Sequence, residues 1–339
     1  MDIAERYSRQ VLFSGIGKEG QKRLAEARVA VIGVGALGTV IANNLCRAGV
    51  GLLRLIDRDF VEISNLQRQT LFTEADVSEH IPKAVAAVEH LKKINSEITL
   101  EPVVKDVNPS NVEQLIGDVD LVLDGTDNFE IRLLINDACV KLGIPWIYGG
   151  AIGSYGITMN IIPGETPCLR CLLKEIPAPG TQPTCSTAGV LNMITGIIGN
   201  YETVEAVKFL VKSPDLRKDV LFVDIWDNVS EFMTIPKNKD CKACGQGEYE
   251  FLNNNVGSYT TSLCGSDSIQ IVPQTRSEIN FQVMHDKLLQ LGEVSYNRFL
   301  LRFSYMDINI TLFPDGRAII KGVTDPNVAK SVYSEYIGF

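Results

Sequence analysis

The residues best suited to chemistry begin with a glycine-rich turn, Gly33-Val34-Gly35-Ala36-Leu37-Gly38. It follows the apolar run Val29-Ala30-Val31-Ile32 and opens a helical stretch to Arg47. In that strand–turn–helix setting the glycines permit a tight turn and let backbone N–H groups close on a phosphate at the helix N-terminus, so Gly33, Gly35 and Ala36 are candidate phosphate contacts. A second apolar run, Leu52 to Ile56, ends at Asp57, where an acidic side chain can accept hydrogen bonds from ribose hydroxyls. So far the reading is an adenine-nucleotide site. The hexapeptide Ser64-Asn65-Leu66-Gln67-Arg68-Gln69 extends it. Asn65 and Arg68, just past the acid, suit a triphosphate under attack, for which a dehydrogenase has no general need. Lys83, after Pro82 at a helix start, supplies a second cation. Asp127 and Asn128 follow the run Leu121–Asp124, and a carboxylate there could hold Mg2+. Taken singly, each has a plainer reading, since a lone Lys or Arg is usually a solvated charge and an Asp before Asn at a helix start is often an N-cap. Their common position at strand ends, where open parallel sheets bind ligands, favours function.

Sulfur chemistry forms the next group. Cys168-Leu169-Arg170-Cys171 and Cys241-Lys242-Ala243-Cys244 present four thiolates in two knuckles, the ligand set of a closed, structural zinc site. The competing reading is redox or unrelated cysteines. Cys185 stands apart in the proline- and glycine-rich segment from Ile176 to Gly189. Near a helix N-terminus such a thiol can act as a nucleophile; otherwise it is a small, partly buried residue. Cys46 and Cys139 sit in apolar helical patterns and read as core, Cys264 has no evident partner, and the histidines His80, His90 and His285 show no ligand spacing.

The elements that must position these groups alternate in type. Strand-like runs at Val29–Ile32, Leu52–Ile56, Thr99–Val104, Leu121–Asp124, Trp146–Gly149 and Gly156–Ile162 enclose helical patterns at 38–48, 82–94, 110–116 and 128–142. This alternation predicts an α/β fold with a doubly wound, mainly parallel, Rossmann-like sheet. A mostly apolar helix is expected from Ala188 to Lys212, buried, with strands at Leu221–Trp226 and Phe232–Ile235. Residues 1–245 thus read as one domain, 246–259 as a glycine- and asparagine-rich linker, and 260–339 as a small α+β domain. In a chain of 339 residues a net charge of −9 argues against a nucleic-acid surface. The start of the chain lacks a signal-peptide layout, no apolar run reaches the about 18 residues that mark a membrane span, and the cysteine usage fits a cytoplasmic protein.

Residues 1–245 resemble the ThiF/MoeB/HesA family of ubiquitin-activating-type adenylyltransferases. The motifs that carry the resemblance are Arg6-Tyr7-Ser8-Arg9-Gln10, Gly33–Gly38, Asp57-Arg58-Asp59, Ser64–Gln69, Pro82-Lys83, Thr126-Asp127-Asn128, both cysteine knuckles, and Thr184-Cys185 with Ala188-Gly189. The resemblance implies binding of Mg·ATP and of a small β-grasp sulfur-carrier protein ending in Gly-Gly, whose terminal carboxylate is joined to AMP with release of pyrophosphate. It implies that Asp57 binds the ribose, that Asn65, Arg68 and Lys83 contact the phosphates, and that Asp127 serves Mg2+ and the α-phosphate. It implies a homodimer in which Arg9 reaches the neighbouring protomer's site, and a Cys185 able to link to the carrier during sulfur transfer from a donor protein. Carriers of the ThiS type (thiamine thiazole synthesis) and the MoaD type (molybdopterin synthesis) both fit, with Cys185 favouring ThiS. Two departures stand out. Ala36 occupies a position where many relatives carry glycine, and residues 246–339 match neither a rhodanese domain nor a fused carrier, since the chain ends Tyr336-Ile337-Gly338-Phe339. An NAD-dependent dehydrogenase and a non-catalytic carrier-binding scaffold are the alternatives. The first leaves Arg68, Lys83 and the knuckles unexplained, and the second leaves the set of charged site residues without a purpose.

Overall fold

The computed structural model describes residues 3–127, 129–173, 189–253, 260–262, 267–272 and 279–337. Asn128, Cys185 and Cys264 lie outside the described residues. The chain divides into two compact units, Met1–Asn254 and Asn255–Phe339.

The first unit is built on a sheet of β1 (Arg28–Ile32), β2 (Leu52–Ile56), β3 (Thr99–Val103), β4 (Leu121–Asp124), β5 (Trp146–Ile152), β6 (Tyr155–Ile161), β7 (Val220–Asp224) and β8 (Val229–Met233), in the order β3-β2-β1-β4-β5-β6-β7-β8. Pairing is parallel from β3 through β5 and antiparallel from β5 to β8. The central strands β1 and β4 are mostly apolar because both faces are covered: Val29 to Ile32 and Leu121 to Leu123 are buried, as is the terminal Asp124.

The helices of this unit are α1 (Ile3–Arg6), α2 (Ser8–Leu12), α3 (Gly17–Glu26), α4 (Ala36–Ala48), α5 (Glu74–Ser78), α6 (Lys83–Ile94), α7 (Val112–Ile116), α8 (Phe129–Leu142), α9 (Leu169–Leu172) and α10 (Asn192–Leu210). α4 packs on β1 and β2 and against α6 and α10, whereas α7 packs against α8. One apolar core joins Ala30 and Ile32 of β1 to Val112 and Ile116 of α7 and to Leu133 and Ile135 of α8. The winding runs from β1 out to β3 and then returns to β4 on the other side of β1. The adjacent ends of β1 and β4 therefore form the topological switch point at which such sheets bind ligands.

Two expectations need adjustment. α10 spans 192–210 and is only half covered: Ile194 and Ile198 are buried, but Met193, Tyr201 and Val204 are exposed. The glycine- and asparagine-rich composition at 246–253 does not make that stretch a free linker, because Leu252 is buried and Tyr249 and Phe251 pack against the first unit's core.

The second unit carries a six-stranded antiparallel sheet ordered β11-β12-β13-β14-β10-β9, from β9 (Thr260–Ser262), β10 (Ser268–Ile271), β11 (Glu293–Tyr296), β12 (Leu301–Tyr305), β13 (Ile308–Leu312) and β14 (Ala318–Lys321). Alternate residues Ile269, Ile271, Leu301, Phe303, Ile310, Leu312 and Ile320 point to one face, as the period of two requires. That face is closed by α11 (Phe281–Leu288) and α12 (Pro326–Tyr336), through Leu288, Val332, Tyr333 and Tyr336. Among the described residues, no helix is long and apolar enough to cross a membrane.

Candidate active site

The glycine turn lies at the switch point. Gly33 has φ +85°, and a Cβ there would come within 2.7 Å of the Gly125 backbone, so the loops after β1 and β4 touch backbone to backbone. Gly35, the N-cap of α4, is different. A Cβ on it would meet nothing nearer than the Gly125 carbonyl oxygen at 3.7 Å and Gln69 Nε2 at 3.8 Å. The protein itself leaves room for a side chain there, and that cradle at the start of a 13-residue helix suits a phosphate. Ala36 is the first residue of α4, so its departure from glycine falls on helical backbone, where alanine is favoured.

Asp57 ties the turn to the next strand end. It is 9% exposed; Val34 N donates to one carboxylate oxygen (2.6 Å) and Asp59 N to the other (2.8 Å). Burial raises its pKa, with Lys83 opposing the rise. Lys83 begins α6, is 8% exposed, and donates from Nζ to Asp59 Oδ2 at 3.2 Å, while its backbone N–H bonds Asp59 O at 2.9 Å. Burial would lower its pKa, but the carboxylates of Asp59, Asp57 and Asp127 overcome that and hold it above its ordinary value. The result is a buried lysine whose charged form is favoured by the carboxylates around it.

The hexapeptide begins in a short 3-10 turn, Ile63–Asn65, closed by a reciprocal cap in which Glu62 N donates to Asn65 Oδ1 at 3.1 Å. Asn65 is buried. Arg68 is half-buried and donates from Nη1 to Ser64 O at 3.0 Å.

At the end of β4, Asp124 is fully buried and accepts from Thr126 N (2.9 Å), Thr126 Oγ1 (2.7 Å) and Arg132 Nε (3.0 Å). Arg132 also donates from Nη2 to Thr126 O (2.6 Å) and Gly149 O (3.1 Å). This bracing sets the loop that presents Asp127, which is exposed and lies close enough to influence both Lys83 and Arg132. Glu202 of α10 lies against Gly149, fully buried, with neither carboxyl oxygen partnered among the described residues. Burial, reinforced by Asp124, drives its pKa well above the carboxylate range.

The knuckles converge as their spacing predicts. The sulfurs of Cys168, Cys171, Cys241 and Cys244 lie within 4.8 Å of one another, with separations of 3.6 Å (Cys168–Cys241), 3.5 Å (Cys171–Cys244) and 4.0 Å (Cys168–Cys171). A tetrahedral zinc with Zn–S of about 2.3 Å needs sulfurs about 3.8 Å apart, so the set is compatible with zinc. Leu169 N donates to Asn136 Oδ1 at 2.9 Å, tying the first knuckle to α8.

Arg9 is not part of this cluster. It is exposed on α2, next to Gln10, whose Nε2 donates to Ala48 O at 2.9 Å, and to the buried Tyr7, whose hydroxyl accepts from Asn95 Nδ2 at 2.8 Å. Ala48 is the far end of α4 from the glycine turn. The structure also brings in residues that sequence reasoning did not select: Asp59, Gln69, Gly125 and the Asp124–Arg132 pair. Gly125 sits one residue and Asp59 three residues past a strand, which is the signal that could have found them.

Fold and site define a class: an α/β nucleotide-binding protein whose switch-point crevice carries a buried lysine, accompanied by a four-thiol cluster able to hold a metal. Residues 7–243 match the family model described as the ThiF family, and the chain belongs to that family. It is 43% identical to the sulfur carrier protein ThiS adenylyltransferase of Bacillus subtilis (strain 168), over 98% of this chain and 99% of that protein. It is 37% identical to the molybdopterin-synthase adenylyltransferase of Escherichia coli (strain K12), over 71% of this chain and 96% of that protein. Among solved structures, that of E. coli MccB with ATP has the same fold, with a TM-score of 0.63 at 23% identity, covering 71% of this chain and 74% of that one.

Proposed function

We propose that this chain is an ATP-dependent adenylyltransferase acting on the C-terminal Gly-Gly carboxylate of a small β-grasp sulfur-carrier protein, and that the carrier is of the ThiS type. The observation that carries the activity is the buried Lys83 ammonium beside the glycine turn, a placement that suits phosphate charge and has no use in hydride transfer. The ThiS assignment rests on the second unit: the B. subtilis relative matches the chain end to end, whereas the molybdopterin relative is matched over 71% of it.

The chemistry needs no general base, because the carrier's carboxylate is already a nucleophile. One of its oxygens attacks the α-phosphorus, the bond from that phosphorus to the bridging oxygen breaks, and pyrophosphate leaves with the electron pair. The products are acyl-adenylate and pyrophosphate. The protein contributes position and charge. Asp57 uses one lone pair on each oxygen for backbone N–H groups and keeps others for ribose hydroxyls. Lys83, Arg68 and Asn65 face the phosphates, the turn from Gly33 to Ala36 cradles them, and Asp127, with Asn128 beside it, is the carboxylate that would hold Mg2+. The four cysteines would hold zinc as a closed structural clip, since four sulfurs leave no open position.

Arg9 acts in trans in this reading, within a homodimer. Its helix is fastened to the far end of α4, a 13-residue helix that at about 1.5 Å per residue is about 20 Å long. That is more than one side chain spans, which fits a role for Arg9 in a partner's site. Cys185 is the thiol available for a covalent link to the carrier during sulfur transfer, and a cytoplasmic location suits these reactions.

Carrier-dependent ATP–pyrophosphate exchange tests the proposal, with purified ThiS-type and MoaD-type carriers supplied separately. Exchange with the ThiS-type carrier alone is expected. Equal exchange with both would remove the pathway assignment, and none with either would remove the adenylyltransferase reading for these carriers.

A further inference from the structure

Gln69, the last residue of the hexapeptide, is 4% exposed. Its backbone is fully paired: the N–H donates to Asn65 O at 2.9 Å and the carbonyl accepts from Phe72 N at 3.2 Å. Its side-chain Oε1 is buried and has no partner among the described residues. Its Nε2 stands 3.8 Å from the point a Cβ on Gly35 would occupy, and the Gly125 carbonyl oxygen stands 3.7 Å from that same point. The amide thus sits where three strand-end loops meet, against the one glycine of the turn whose missing side chain the protein itself does not fill. An orphaned buried amide lowers stability unless a partner arrives, and an apolar side chain of the same shape would serve packing better.

We infer that Gln69 is a nucleotide-binding residue whose amide completes its hydrogen bonding on the α-phosphate and ribose end of ATP seated at Gly35. This rests on the proposed adenylation. An amide offers a donor or an acceptor by a half-turn about its last bond, and being neutral it tolerates burial that a third cation beside Lys83 and Arg68 would not. It can hold the AMP portion in place without adding charge that would retain pyrophosphate.

The test uses the full chain and two variants, Gln69→Leu and Gln69→Glu. ATP, AMP and pyrophosphate affinities are measured by titration calorimetry, and unfolding without nucleotide by scanning calorimetry. Gln69→Leu is expected to bind ATP and AMP about 10-fold more weakly or worse, to bind pyrophosphate as the wild type does, and to unfold at the same or a higher temperature. Gln69→Glu should lose still more ATP affinity, because it sets an anion against the phosphate, and it carries the test alone if the leucine variant does not fold. ATP affinity within twofold of wild type in either folded variant overturns the inference. Lys83→Met separates the two levels. If the wild type binds ATP, Lys83→Met does not and Gln69→Leu does, the Gln69 inference alone falls. If the wild type does not bind ATP at all, the adenylation reading falls and takes this one with it.

Discussion

The carboxylates around Lys83 hold its pKa above its ordinary value in a nearly closed site, and in the proposed reading that charge meets a phosphate. Removing that charge while keeping the stem isolates its role. Lys83→Met is expected to lower carrier-dependent exchange by about 100-fold or more, the scale of losing one preorganised electrostatic contact. Circular dichroism should show the fold retained. A fall of less than 10-fold would mean the ammonium serves only Asp59 and Asp57. Glu202 presents the opposite case, a buried carboxyl without a hydrogen-bond partner among the described residues, whose burial outweighs the pull of Arg132 and Arg217. Its folded pKa lies far above the unfolded 4.5, so it is uncharged in both states below that value. As pH rises past 4.5 the unfolded chain releases a proton that the folded chain retains, and stability falls by up to about 1.4 kcal/mol per pH unit. Glu202→Gln keeps the shape and removes the proton, so its stability should not show that decline. Denaturant unfolding of both proteins between pH 5 and 8 measures the difference, and parallel curves would show that Glu202 ionises freely in the folded state.

At the scale of elements, the site depends on loops that meet backbone to backbone. Gly33→Ala would force a Cβ onto the Gly125 backbone at a left-handed φ, and it should both destabilise the first unit and abolish ATP binding in a thermal-shift assay. This part of the design was legible in the sequence, because strand, glycine turn, helix and acid lie within one stretch from Val29 to Asp57 and each leaves a local mark. The knuckles were legible for a similar reason: their internal spacing is local even though their pairing is not. What escaped was set by distant chain segments. Glu202 lies in an apolar helix and gives no sign that it will be buried against Gly149. Gln69 becomes an orphan only once Gly35 and Gly125 are folded around it. The apolar stretch after 188 read as a buried helix, and only the fold shows that one face of α10 is left uncovered. The knuckles carry their own prediction at this scale. They join α9 and the turn at Lys242–Gln246 to α8, so a metal there clips segments that already pack. Chelation should lower the first unit's unfolding temperature by about 5 °C or more, which corresponds to a few kcal/mol for a unit of this size and is less than the loss of fold seen in small zinc fingers. The second unit has its own core and should melt unchanged, giving an internal reference in the same calorimetric trace.

At the scale of the whole molecule, the question is which copies of the chain make one active site. α2 presents Arg9 together with Leu12 and Phe13, which are 78% and 64% exposed, at the end of α4 remote from the glycine turn. An exposed cation beside exposed apolar side chains fits a surface shared with a second copy, and an isologous dimer would carry each Arg9 toward the other protomer's crevice. Complementation decides the matter. Arg9→Ala and Lys83→Met dimers should each be inactive in exchange. When equal amounts are mixed and allowed to exchange subunits, half the dimers become mixed, and each mixed dimer has one site that combines the Lys83 of one chain with the Arg9 of the other. That restores about a quarter of all sites, so activity should recover to about a quarter of the wild-type value as subunits exchange. If Arg9 served its own chain, every mixed dimer would lack a complete site and activity would stay at zero. If Arg9→Ala were fully active before mixing, the arginine would have no part in the reaction, and the exposed surface of α2 would need another explanation.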